Sequence, residues 1–116
     1  MIRPLLLALL FIPLAGCSKH QSRTLGSPEE GSSIAITAVR RTDMDSRVVL
    51  HGTMIEKCQI AGCWFILQDD TGTIKVDTKN AGFVVVNVPL NSALAVAGRV
   101  TTNGAERIID ATGLRY

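Results

Sequence analysis

The sequence predicts an all-β fold, a small barrel or sandwich of five or six short strands. Three observations lead there. The chain has 116 residues, room for one small domain, and its apolar residues fall in short β-prone runs with almost no helical periodicity. Turn signals divide the runs: Asp69-Asp70-Thr71-Gly72 and, strongest of all, Asn103-Gly104. Where a helix would be expected to interrupt them, Val84-Val85-Val86 is β-branched, Gly82 precedes it and Pro89 blocks continuation. The stretch around which the rest is organised runs from Cys58 to Val76, a cysteine-bracketed loop feeding a hairpin.

The first residues address the protein rather than build it. Met1-Ile2-Arg3 is a short basic region and Pro4 to Leu14 an apolar run, shorter than the about 20 residues a spanning helix needs. The run ends in Leu14-Ala15-Gly16-Cys17, which resembles a bacterial lipobox. That likeness implies a signal peptide over 1–16, lipidation at Cys17, and a place in the bacterial cell envelope. Ser18 at the next position, by the same likeness, favours the outer membrane facing the periplasm. The membrane would then be reached through lipid, since several acyl chains anchor a protein that has no transmembrane helix. Residues 17–33 are read as the lipidated cysteine and a flexible tether. Ser18 to Ser33 holds one Leu among Ser, Gly and charges, too little apolar surface to offset ordering, with a reach of roughly 20 Å. His20 within it is read as a solvated residue.

The folded domain is expected over 34–116. Ile34 to Val39 is the first β-prone run, and Arg40 to Ser46 a polar turn with two solvated arginines. Arg47 to Lys57 is the next strand, apolar on parts of both faces as in a strand curling within a barrel, with Gly52 marking a bulge or sharp bend. Trp64 to Asp69 and Thr73 to Val76 form the hairpin. Asp77 to Asn91 is a connection, and Ser92 to Thr102 and Arg107 to Leu114 are the closing strands.

In order, VVLHGTMIEK, WFILQDDTG, TIKV, AVAGRV and RIIDATGL resemble the strands of an OB fold, a five-stranded Greek-key barrel, across Ile34 to Tyr116. The fold class is thus an OB-like Greek-key barrel after a signal peptide and tether. Within it, Glu56-Lys57-Cys58-Gln59-Ile60-Ala61-Gly62-Cys63-Trp64, followed by Gly82-Phe83-Val84 and Val88-Pro89, is similar to small exported bacterial OB-like domains of unknown function. Their hallmark is Cys, a short spacer, then Gly-Cys-Trp. The chain departs from common OB folds in lacking a recognisable helix between the third and fourth strands, which leaves the closure of the barrel's bottom undefined.

With Cys17 assigned to lipid, Cys58 and Cys63 remain as a pair in an oxidising compartment. The leading reading is a structural disulfide: four intervening residues with a glycine bring two Cα atoms within about 7 Å, and a small domain gains from such a staple. A second reading is a soft-metal site for copper(I), with His51 or Met54 as further ligand, although C-x4-C is looser than the C-x2-C of zinc sites. Thiol exchange has less behind it, with no C-x-x-C motif and no thioredoxin-like context. For His51, the plainer reading is a half-exposed strand histidine.

If Phe65, Leu67 and Asp69 share one face, Trp64, Ile66 and Gln68 take the other, with Lys75 nearby on the paired strand. OB folds bind ligands on this second- and third-strand face, so these four residues are candidate binding residues; alternatively Trp64 packs over the cysteine pair and caps the loop. Asp69-Asp70 is read as turn chemistry, and no arrangement for nucleophilic or acid–base catalysis stands out. The protein is therefore expected to be no enzyme and to need no cofactor, copper aside. Without Arg3 the basic count falls from 12 to 11 against 10 acidic residues. Near-neutral charge, one tryptophan and an envelope address all argue against single-stranded nucleic acid as the ligand. The reading is a lipid-anchored, non-catalytic binding or interaction module of unknown ligand, with an envelope protein or another envelope component as its expected partner.

Overall fold

The structure, a computed structural model, describes residues 23–116. The signal peptide, Cys17, His20 and the first part of the expected tether lie outside the described residues. Among the described residues there are seven strands and one 3-10 helix: β1 (Thr24–Gly26), β2 (Ser32–Ser33), the helix (Ile36–Arg41), β3 (Arg47–Lys57), β4 (Trp64–Asp69), β5 (Gly72–Asp77), β6 (Ala93–Asn103) and β7 (Glu106–Arg115).

Five of them close a barrel. β3 pairs with β4, β4 with β5 and β6 with both β3 and β7, all antiparallel. A parallel pairing of β5 with β7 completes the circle. Residues alternate across each strand, so Val48, Leu50 and Met54 of β3, Phe65 and Leu67 of β4, and Ile74 and Val76 of β5 point inward with Val96, Val100, Ile109 and Leu114. β3 serves two partners by coiling. Arg47 to Thr53 pairs with β6, and Thr53 to Lys57 with β4. Gly52 sits where the partners change. A Cβ there would lie 2.4 Å from the Gln68 carbonyl oxygen, so only glycine admits the approach. The bulge itself falls between Met54 and Glu56.

Two segments differ from expectation. Ile34–Val39 is not a strand. Only Ile34 joins the sheet, its N–H donating to the Val49 carbonyl at 3.2 Å, and the chain then turns into the 3-10 helix. Three-residue spacing puts Ile36 and Val39 on one side of that helix, and both are buried in the core. Side chains from elsewhere satisfy its ends. Asp69 Oδ2 accepts the Ile36 N–H at 2.9 Å, and Arg107 donates to the carbonyls of Val39, at 3.4 Å, and Thr42. The helix seals the barrel end that carries the β4–β5 and β6–β7 turns, and Arg40 and Arg41 in its last turn are exposed.

The stretch read as a tether is ordered in part. β1 pairs with β7, and β2 runs parallel to β3. β7 meets β5 only at Ile109 and Asp110, so its later residues offer a free edge to β1. Backbone pairing there does what the sparse side chains could not, and Leu25 packs on the core.

Asp69 is the anchor of the helix end. Its Oδ1 also accepts the Thr71 N–H at 2.7 Å, the Thr71 hydroxyl at 2.6 Å and the Gly72 N–H at 3.1 Å. Partial burial works to raise its ionisation, but the Thr71 hydroxyl and the N–H groups of Ile36, Thr71 and Gly72 outweigh it and hold the carboxyl below its usual range. Asp69→Ala is expected to lower stability at pH 7 by about 1–2 kcal/mol, as for loss of a capping side chain, measured by urea unfolding. A depressed folded value means that the ionised contribution is present above the unfolded value near pH 4 and is lost as pH falls through the folded one. The gap between wild type and variant therefore narrows below about pH 4. A gap independent of pH would show that the charge is not what anchors the helix.

Candidate functional site

The outer face of β4 and β5 is built by register. Trp64 lies opposite Asp77, Ile66 opposite Lys75 and Gln68 opposite Thr73, while Phe65 and Leu67 between them are fully buried. All four residues singled out in the sequence (Trp64, Ile66, Gln68 and Lys75) thus share one solvent-facing strip. Lys75 Nζ stands 5.1 Å from the centroid of the Trp64 ring, within cation–π range. On the other flank, β3 sets Glu56 beside Ile66 and Thr53 beside Gln68. The bulge adds Ile55 as an exposed apolar residue, one that strict alternation could not place. A shallow cleft beside Gln68 is lined by His51, Thr53, Asp69 and Asp70. His51 is exposed there.

At the opposite barrel end the Cys58–Cys63 loop is fixed by backbone bonds. The Cys58 N–H donates to the Trp64 carbonyl at 3.1 Å and the Gly62 N–H to the Cys58 carbonyl at 3.0 Å. The Thr78 N–H reaches the Cys63 carbonyl and the Val85 N–H the Gly62 carbonyl, each at 2.9 Å. Gly62 has φ 58°, and a Cβ on it would meet the Val86 nitrogen at 2.8 Å. The expected disulfide is not present: Cys58 and Cys63 are free thiols, each half-buried. The neck of the loop pairs Cys58 with Trp64, which leaves Cys63 one step short of the cross-strand position.

The Ala61 N–H is the largest influence favouring the Cys58 thiolate. Desolvation opposes it, but the Ile60 N–H, the Cys63 thiol and the Cys63 N–H add to it, and Cys58 is lowered from 9.0 to about 7. The proposed metal ligands are not brought together. Met54 is fully buried in the core, four residues or about 13 Å of strand before Cys58, and His51 is about 23 Å away along the same strand. Among the described residues no three His, Cys, Asp or Glu side chains form a metal-holding group.

Sequence reasoning missed Lys57. Its ammonium donates to the carbonyls of Val86 at 3.0 Å and Val88 at 2.5 Å, with Val85 at 3.5 Å. Val85 and Val88 are themselves fully buried. This lysine therefore ties the β5–β6 connection (residues 78–92) across the barrel end where common OB folds place a helix. A lysine ending a strand carries no sequence signal of that role.

The sequence matches the family described as "BOF: Bacterial OB fold (BOF) protein" over residues 15–116. The chain belongs to the bacterial OB-fold family. Among solved structures, that of the hypothetical protein ygiW from E. coli is similar to this bacterial OB-fold chain with a TM-score of 0.58 and 23% identity, over 73% of this chain and 89% of that one. A chain of the S. pombe Stn1–Ten1 complex gives a TM-score of 0.56 at 15% identity, over 73% and 74%. At those identities the likeness is one of fold. No curated protein matches the sequence.

Replacing Lys57 with Met keeps the stem and removes the donors. Lys57→Met is expected to cost about 1.5–3 kcal/mol, the scale of hydrogen bonds from a charged group, and to speed amide exchange over residues 83–88. An unchanged unfolding midpoint with unchanged exchange would show the lysine to be incidental.

Proposed function

We propose that this bacterial OB-fold protein is a lipid-anchored, non-catalytic binding module of the cell envelope, which holds an envelope protein on the outer face of β4 and β5. The observation that carries the reading is the strip itself. Trp64 under the Lys75 ammonium, Ile66 and Gln68 lie side by side on the two strands that OB folds use for binding. Tryptophan is a favoured anchor of protein interfaces because it removes much apolar area from water at little entropic cost. Near-neutral charge supports a protein partner over a polyanion.

The anchor reading rests on Leu14-Ala15-Gly16-Cys17. Among the described residues no helix is long and apolar enough to cross a membrane. Among the described residues the first backbone pairing is the Arg23 N–H with the Tyr116 carbonyl at 2.7 Å. Six residues after Cys17 span at most about 20 Å, so a lipidated Cys17 would hold the barrel close to the bilayer.

A photo-crosslinking residue at Gln68, in cells, is expected to give a discrete protein adduct that the same residue at Thr102 does not. Trp64→Ala should leave the unfolding midpoint unchanged and weaken that adduct at least about tenfold, the effect of losing a hot-spot side chain. Adducts of equal strength from both positions, or indifference to Trp64→Ala, would remove the face as the binding site. For the anchor, Cys17→Ser is expected to move the protein from the membrane pellet to the soluble fraction and to abolish the mass of attached acyl chains. Retention in the pellet would overturn it.

A further inference from the structure

The cysteine loop has a chemistry that partner binding does not use. Its two thiols are neither joined nor buried away from solvent. The turn between them is exposed, with Ile60 at its tip 97% accessible. Both cysteines sit in one turn pinned by backbone bonds, the Cys58 N–H to the Trp64 carbonyl, the Gly62 N–H to the Cys58 carbonyl and the Val85 N–H to the Gly62 carbonyl, and the turn's own N–H groups, Ala61 first, favour the ionised form of Cys58. A pair of accessible thiols held in one pinned turn, one of them favoured as thiolate, is the arrangement that exchange with a disulfide requires. Among the described residues no third His, Cys, Asp or Glu joins the two in a metal-holding group.

We propose that Cys58 and Cys63 form a thiol–disulfide exchange site whose substrate is a low-molecular-weight disulfide, with Cys58 as the attacking sulfur and Cys63 as the resolving one. The Cys58 thiolate attacks one sulfur of the small disulfide, forming a mixed disulfide and expelling one small thiolate, which takes the proton Cys58 gave up. Cys63 then loses its proton to solvent and attacks the Cys58 sulfur. The Cys58–Cys63 bond forms, and the second small thiolate leaves and is protonated. Two protein thiols are oxidised and one small disulfide is reduced to two thiols. The loop must shift to close the bond, since the thiols do not start at bonding distance. The reverse reaction with excess small thiol returns the pair to its starting state.

The donors fix which cysteine leads. With its ionisation at about 7, Cys58 is half thiolate at neutral pH, where a thiol at the ordinary value of 9.0 is about one per cent ionised. Lower basicity gives back part of that advantage, so the net gain in attack rate is about fivefold.

The test uses the full chain carrying Cys17→Ser, so that only Cys58 and Cys63 bear thiols, with glutathione disulfide as the probe. Adding Cys63→Ser should give a stable mixed disulfide at Cys58, formed about fivefold faster at pH 7 than on an unstructured cysteine peptide, with a rate that levels off above about pH 8. Adding Cys58→Ser instead should slow attack severalfold. With both cysteines present, the product should be lighter by two hydrogens, release two glutathiones per chain, and reopen in excess reduced glutathione. Equal rates for the two single-cysteine chains would overturn the assignment of roles. Arrest at the mixed disulfide would overturn resolution by Cys63, and an internal bond that excess glutathione fails to reopen would make the pair a structural staple.

Discussion

Everything in this barrel depends on a short parallel seam. β5 and β7 meet at Val76 with Ile109 and Asp77 with Asp110, and that meeting turns a curled sheet into a closed barrel. Parallel pairing is slightly weaker per residue than antiparallel, and two pairs of residues make few hydrogen bonds. The seam holds because Val76 and Ile109 are both fully buried, so apolar contact supplies what the ladder does not. Its brevity has a second effect. β7 runs on past Asp110 with an unpaired edge, and β1 fills that edge before it can recruit another chain.

Closing the wall leaves two open ends, and a small barrel has little spare apolar sequence to fill them. Each end receives two buried aliphatic residues: Ile36 and Val39 at one, Val85 and Val88 at the other. In both places a charged side chain then satisfies backbone groups that the irregular chain leaves without partners. Asp69 and Arg107 do this for the 3-10 helix, and Lys57 does it for the β5–β6 connection. Buried or half-buried carbonyls and N–H groups without partners would cost more than the aliphatic residues return. The helix that OB folds commonly place between the third and fourth strands is thus replaced by an extended connection under a lysine. At the far end, a short helix borrowed from before the first barrel strand is held in place.

Those facts explain what the sequence revealed and what it hid. The five barrel strands, the hairpin at Asp69 to Gly72, the turn at Asn103-Gly104 and the bend at Gly52 were all legible, because alternation and turn chemistry are local. So was the grouping of Trp64, Ile66, Gln68 and Lys75, which follows from register across a tight hairpin. Ile34–Val39 misled because a β-branched run gives the same composition in a strand and in a 3-10 helix. The choice was made by Asp69, more than thirty residues away. β1 and β2 misled because composition reports what side chains can bury, whereas these strands are ordered by a free backbone edge. The disulfide misled because compartment and spacing say nothing of loop register, and here the register sets Cys58 against Trp64.

That last pairing joins the two proposed sites. The Cys58 N–H is bonded to the Trp64 carbonyl, and Trp64 is the end residue of the strip on β4 and β5. The first residue of a strand is held on one side by its ladder and on the other by whatever precedes it. For Trp64, Asp77 lies across the ladder and the cysteine loop is the remaining support. A sulfur–sulfur bond would draw Cys58 and Cys63 together across the neck, against the bonds by which Thr78 and Val85 hold the loop to the β5–β6 connection. The backbone of Trp64 lies inside that set of bonds, so a bond between the two sulfurs would act on the strand start that carries the indole and the Lys75 ammonium above it. The ring at the end of the proposed binding strip therefore begins where the proposed exchange loop ends.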